Sequence, residues 1–254
     1  MKVIAVVSAK GGVGKTTISA NLSAALRLKT KDILAVDFDP QNSLALHFGM
    51  SPAHQDGLAR NSLYGGNWRS SVIESHESCH VLPFGRLNEN DRELFEQSLR
   101  DNPKLLANGL SSLGLADDAL VVIDTPTGST AYLKQALMVA NVVVVVLQAT
   151  PAACATLPII IGLIDKYCVN RKEFVEYLFL INHVNRESRL ANDVVNTMRA
   201  MLGDKSVAIV HQDQSIPEAL ACNQDLIKYE PNCRGTENIM EFANLLQLLL
   251  IDKR

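Results

Sequence analysis

Short apolar runs alternate along the chain with segments whose apolar residues recur every three or four positions. The runs Lys2–Ser8, Asp32–Asp37, His80–Phe84, Ala119–Asp124, Asn141–Leu147, Glu176–Asn182 and Ser206–Val210 are strand-sized. Several are apolar throughout rather than alternating, as expected of strands covered on both faces, and Val142–Val146 is an unbroken series of valines suited to a sheet centre. Helical periodicity predicts helices near Thr16–Leu28, Gln41–Phe48, Glu89–Leu99, Ser129–Val139, Thr156–Tyr167, Ser188–Met201, Ile216–Cys222 and Thr236–Ile251. Ser215-Ile216-Pro217-Glu218 reads as a capping box with proline at the helix start. Strand and helix in alternation predict an α/β fold, a mostly parallel twisted sheet of about seven or eight strands with helices on both faces. No proline- or serine-rich linker divides the chain, so residues 1–254 are expected to form one domain.

The first strand runs into Ser8-Ala9-Lys10-Gly11-Gly12-Val13-Gly14-Lys15-Thr16-Thr17, and a helix follows at once. A glycine-rich turn between strand and helix aims backbone N–H groups into one concavity, where the helix dipole adds positive potential. Such a turn binds a phosphate chain. Lys15 supplies a point charge for the terminal phosphates, and the Thr16 hydroxyl suits an octahedral Mg²⁺. The pattern G-x-x-x-x-G-K-[ST] wants glycine where Ala9 stands, and Lys10 is an additional cation. A dinucleotide fingerprint fails, because Thr17 occupies the place of its third glycine. Two other strand ends carry carboxylates. Asp37-Phe38-Asp39-Pro40-Gln41 closes the second strand and Asp124-Thr125-Pro126 another, both at the sheet edge where open parallel sheets bind ligands. A Mg²⁺–triphosphate needs such acidic groups beside it.

Lys10 through Thr17, Asp37 through Gln41 and Asp124 through Pro126 together resemble the deviant Walker A, first switch and second switch of the MinD/ParA group of P-loop ATPases. The resemblance covers nearly the whole chain and implies ATP and Mg²⁺ as ligands. It implies that Gly11, Gly12, Val13, Gly14 and Lys15 cradle the phosphates, that Thr16 coordinates the metal and that Thr17 bonds an α-phosphate oxygen. Asp124 would help hold Mg²⁺ and Asp39 would position or activate the attacking water, while Asp37 belongs either to the metal shell or to the bracing of its loop. Lys10 would cross a dimer interface to the phosphates held by the other subunit, which makes dimerisation ATP-dependent. Asn182, at a strand end, is the candidate reader of the purine edge. His211 stands where the group usually has proline, and it either stacks on the base or is a plain loop histidine.

Within the group, Gly66-Asn67-Trp68-Arg69, Val81–Leu87 and the stretch from Ile209 to Ala221 resemble BcsQ, the MinD-like accessory family of bacterial cellulose secretion. That resemblance implies slow ATPase activity and work at the cytoplasmic face of the inner membrane. The implied partners are BcsR- and BcsE-like accessory proteins and the cellulose synthase complex, with peripheral membrane association through them. A DNA-partition ATPase and an ATP-loaded, non-hydrolysing scaffold are the alternatives.

Composition narrows these choices. A net charge of −3 and an acidic C-terminal portion argue against DNA binding, and no room precedes the first strand for a helix-turn-helix. The first strand is broken by Lys10 and Gly11, unlike a signal peptide. The longest candidate for a membrane span, Val139–Leu147, is only strand-sized, too short to cross a bilayer. The apolar tail Ile239–Ile251 is expected to pack on the core rather than on a membrane, and Trp68, the only tryptophan, to lie in the core rather than anchor a partner. Five cysteines without a C-x-x-C pair are expected to be reduced thiols. The cluster His76-Glu77-Ser78-Cys79-His80 lacks the second cluster of a metal site.

Overall fold

The computed structural model describes residues 1–30, 32–51, 55–74, 79–203, 205 and 207–251. Seven strands, β1 (Lys2–Val7), β2 (Ile33–Asp37), β3 (His80–Leu82), β4 (Leu120–Asp124), β5 (Val142–Gln148), β6 (Glu176–Val184) and β7 (Val207–His211), form one sheet in the order β3-β2-β4-β1-β5-β6-β7. Every pairing is parallel. The valine run of β5 lies between β1 and β6 and is fully buried.

Helices cover both faces, because strands apolar on both sides must bury both. On one face, Phe95 of α3 (Glu89–Asp101), Leu106 of α4 (Leu105–Ser112), Leu133 of α5 (Ala131–Val139), Ile160 of α6 (Pro151–Ile164) and Met198 of α7 (Arg189–Leu202) pack together, joined by Leu58 of the short α2 (Leu58–Tyr64). On the other, Ile18 of α1 (Lys15–Arg27) meets Ala219 of α8 (Ser215–Ala221), Leu226 of α9 (Leu226–Tyr229) and Phe242 of α10 (Arg234–Ile251). The apolar tail is thus a core helix, burying Ile239, Phe242, Ala243, Leu246 and Leu250.

Four expectations change. The helix expected over Gln41–Phe48 is only a 3₁₀ turn, Leu44–Phe48, because Asp39 and Asn42 (φ 51°) hold the preceding residues in a turn. The helix expected from Thr156 begins at Pro151, which needs no N–H partner there, continues past Pro158 and ends in a π turn at Asp165–Val169. It also corrects the membrane reading: Pro151–Val169, not Val139–Leu147, is the longest apolar stretch, 19 residues with mean hydropathy 1.6, long enough to cross a bilayer by length and composition. Its Ala153, Leu157, Ile160, Ile164 and Cys168 pack on the sheet, so it serves as a covering helix. Finally, α2, α4 and α9 had no counterpart in the periodicity. Ser206 and His76–Ser78 lie outside the described residues. Cys79 is fully buried, and burial pushes its thiol up to about 12. All five cysteines are free thiols.

Trp68 is 4% exposed and donates from Nε1 to Ser62 Oγ (2.9 Å). Its ring lies against Gly109, where a Cβ would stand 2.3 Å from a ring carbon. Gly109→Ala would gain about 1 kcal/mol of helix propensity but overpack a rigid indole, at about 1–3 kcal/mol. Urea unfolding should show a net loss of stability.

Candidate functional site

The carboxyl ends of β1, β2, β4 and β5 meet at one edge, and the Lys10–Gly14 loop lies there at the start of α1. Gly14 caps α1 with φ 89°, a conformation that an L side chain resists. Its missing Cβ also makes room for Asn182, whose Nδ2 would lie 2.4 Å away. None of the backbone N–H groups from Lys10 to Thr17 donates a hydrogen bond among the described residues. A run of uncommitted donors at a helix start is an anion cradle.

Lys15, only 7% exposed, donates from Nζ to Thr127 Oγ1 (3.0 Å) and makes no ion pair among the described residues. Thr16 Oγ1 donates to Asp124 Oδ2 (2.7 Å) and Ser19 Oγ to Asp124 Oδ1 (2.8 Å). Asp124 therefore stands beside the Thr16 hydroxyl as an all-oxygen group suited to Mg²⁺. Asp37 is fully buried, and its two oxygens accept from Asp39 N (3.1 Å) and Leu44 N (2.9 Å). These two contacts brace the loop that carries Asp39. Asp39 stays half-buried above it and accepts from Gln41 N (2.9 Å). Lys10 is exposed, and its backbone carbonyl accepts from Ser8 Oγ (2.9 Å).

Burial raises both carboxylates. Asp124 reaches about 6 although Thr16 and Ser19 donate to it and Lys15 lies nearby, and Asp37 is held well above the usual carboxylate range by burial and by the charge of Asp124. A carboxyl raised on folding binds protons more tightly than the unfolded chain does. Its contribution is therefore complete below about pH 4 and lost as pH rises through 6. Nucleotide-free protein should gain on the order of 2–3 kcal/mol from Asp124 between about pH 7.5 and pH 4. Urea unfolding across that range should show a shallower slope in Asp124→Asn than in the wild type, the remainder coming from Asp37, which burial still holds raised.

Beside the loop, a cavity of 350 Å³ is lined by Thr17, Asn182, Gln212, Asp213, Ile216 and Pro217 among others. A β-bulge between Ile181 and Val184, with His183 at φ 59°, takes up one additional residue in β6. Asn182, just before it, donates from Nδ2 to Val13 O (2.9 Å), which leaves Oδ1 as an acceptor. The His211 ring pairs with Asn238 Oδ1 (2.8 Å), and His211 borders a neighbouring cavity together with Gln212. Three participants escaped the sequence reading. Ser19 lies one turn along α1 from Thr16, Thr127 follows Asp124-Thr125-Pro126, and Gln148 donates from Nε2 to Gly12 O (3.1 Å). Only Gln148 had a signal, as the polar residue that ends an otherwise apolar strand.

Comparison with known proteins agrees with this geometry. The model of the family described as cellulose biosynthesis protein BcsQ matches residues 1–246. The BcsQ of Salmonella typhimurium is 24% identical over 256 residues, covering 96% of this chain and 93% of that protein. The sporulation initiation inhibitor protein Soj of Bacillus subtilis is 26% identical over 249 residues, covering 95% and 96%. The septum site-determining protein MinD of Pyrococcus horikoshii, solved with Mg-ADP, superposes with a TM-score of 0.77 at 23% identity, covering 100% of this chain and 98% of that one. That likeness supports a P-loop α/β fold.

Proposed function

The chain belongs to the family of the cellulose biosynthesis protein BcsQ, and from that premise we propose that it is a single-domain, ATP-driven dimerisation switch with slow hydrolysis. The observation that carries this reading is the cradle itself: uncommitted N–H groups from Lys10 to Thr17 stand around a buried lysine, with a second lysine exposed at the rim.

Lys15 and the loop amides bind the phosphate chain, and Thr17 adds a donor at the helix start. Thr16 and Asp124, already paired, hold Mg²⁺, which when bound neutralises charge that builds on the phosphates. Asp39, fixed in its loop by Asp37, orients the water. Lys10 reaches the phosphates of a second copy and supplies positive charge in trans, so a tight dimer forms only around ATP. The protein then acts as an accessory of the cellulose synthase complex at the cytoplasmic face of the inner membrane, held there by BcsR- and BcsE-like proteins. Light scattering should show the mass double on adding Mg-ATP; an unchanged mass would count against the switch.

Asn182 explains a preference for adenine. With Nδ2 tied to Val13, its Oδ1 accepts from an exocyclic amine but faces an unpaired oxygen in guanine. An unpaired polar contact costs about 1–3 kcal/mol, so GTP should compete roughly tenfold to a hundredfold less well than ATP in a displacement titration. The similarity to the chromosome-partitioning ATPase Soj of Treponema pallidum, 26% identical over 257 residues, makes DNA partition the second reading. Protein with Mg-ATP that retards DNA at low salt would favour it.

A further inference from the structure

On the face away from α1, a groove of 490 Å³ runs between α3, α5 and α6. Leu99, Tyr132, Leu137, Leu163 and Tyr167 line it, with Glu96, Arg100 and Lys134 at its edges. None of these residues belongs to the nucleotide site. Leu163 and Tyr167 line one side of the groove, and Ile159, one turn before Leu163 on α6, extends the same helix face beyond it. Ile159 is 60% exposed, and the segment from Pro151 to Ile164 carries no charge.

Two observations say what the groove would take. Tyr132 is 3% exposed, yet its hydroxyl has no hydrogen-bond partner, an arrangement that costs stability unless something completes it. The charges around the groove are also unequal. Glu96 is already matched by Arg92 (3.6 Å) and Arg100 (3.8 Å). Lys134 and Lys166 stand over the Tyr167 ring at 5.8 and 5.3 Å from its centroid, and neither has a carboxylate partner among the described residues. An apolar trough beside unmatched cations is complementary to a helix with one apolar face and acidic flanks.

We infer that this groove docks an amphipathic helix of a partner protein, its apolar face against Ile159, Leu163 and Tyr167 and its carboxylates toward Lys134 and Lys166. Tyr132 links the groove to the first switch, since its ring meets Phe38 edge-on at 5.3 Å, and Phe38 lies between Asp37 and Asp39. The docking inference stands on the groove alone, whatever the nucleotide does.

The test is selection of a displayed library of randomised helical peptides on the full chain. Enriched peptides should have apolar residues at i, i+3 or i+4 and i+7 flanked by Asp or Glu. Ile159→Asp, at an exposed position, should weaken them about tenfold, and Lys134→Glu with Lys166→Glu should shift the preference to basic flanks. Circular dichroism would verify that these surface variants remain folded. Failure to enrich any helix, enrichment without acidic bias, or binding unaffected by these changes would overturn the inference. So would an occupant of another kind: self-association without nucleotide that Ile159→Asp abolishes, or capture of anionic phospholipid vesicles through the same residue.

Discussion

Lys15→Ala is expected to lower affinity for Mg-ATP by at least about a hundredfold and to leave the protein monomeric at any practical ATP concentration. Lys15 is a buried cation whose one hydrogen-bond partner among the described residues is a neutral hydroxyl, Thr127 Oγ1. Removing one member of a buried charge pair costs about 2–5 kcal/mol, mostly because the other charge is left uncompensated. In the proposed complex that other charge is the phosphate chain, and about 3 kcal/mol corresponds to roughly a hundredfold in affinity. The fold should survive, since the replaced ammonium makes no ion pair among the described residues. Calorimetric titration checks the affinity, and near-wild-type affinity would remove the nucleotide from this loop.

Asp39→Ala should do the opposite to the cycle. Binding should persist while hydrolysis falls by about 10²–10⁴-fold, the usual contribution of a group that positions or activates a nucleophile. The reason lies in how the loop is held. Asp37, beneath it, keeps the backbone in place by accepting from Asp39 N and Leu44 N, and the Asp39 side chain holds only Gln41 N. Its loss therefore removes the carboxylate without collapsing the loop. The expected product is a dimer with intact ATP, visible as a doubled mass and as unhydrolysed nucleotide recovered after hours. Phosphate release at the wild-type rate would move the role of Asp39 elsewhere. A wild-type protein that also keeps its ATP intact would point to the scaffold alternative.

These two residues also show what was legible in the sequence. The strands were, because unbroken apolar runs such as Val142–Val146 have one comfortable place, the middle of a doubly covered sheet. The loop and the aspartates Asp37, Asp39 and Asp124 were legible because strand ends put them at one edge, and the structure gathers all of them there. The region from Gln41 to Leu113 was far less so. Its turns and short helices are decided by contacts distant in sequence, such as Arg69 donating to Leu113 O and the Trp68 ring against Gly109, which no local period encodes. His211 shows the same limit. Its position left a base contact and a plain loop histidine both open, and the contact its ring makes, with Asn238 Oδ1 on α10, is again distant in sequence. Asp37 could not be assigned from sequence either, because bracing and metal binding ask for the same residue at the same place; what the structure adds is that its oxygens accept from two backbone amides.

The central claim is that Lys10 acts on nucleotide held by another copy. Mixing Lys10→Ala with Asp39→Ala, each inactive alone, tests it most directly. In a mixed dimer the Lys10→Ala subunit keeps its own Asp39 and receives Lys10 from its partner, so one site in two is complete. With equal amounts and random pairing, phosphate release should recover to about a quarter of the wild-type rate. A mixture as inactive as its components, under conditions where mixed dimers are shown to form, would contradict the account.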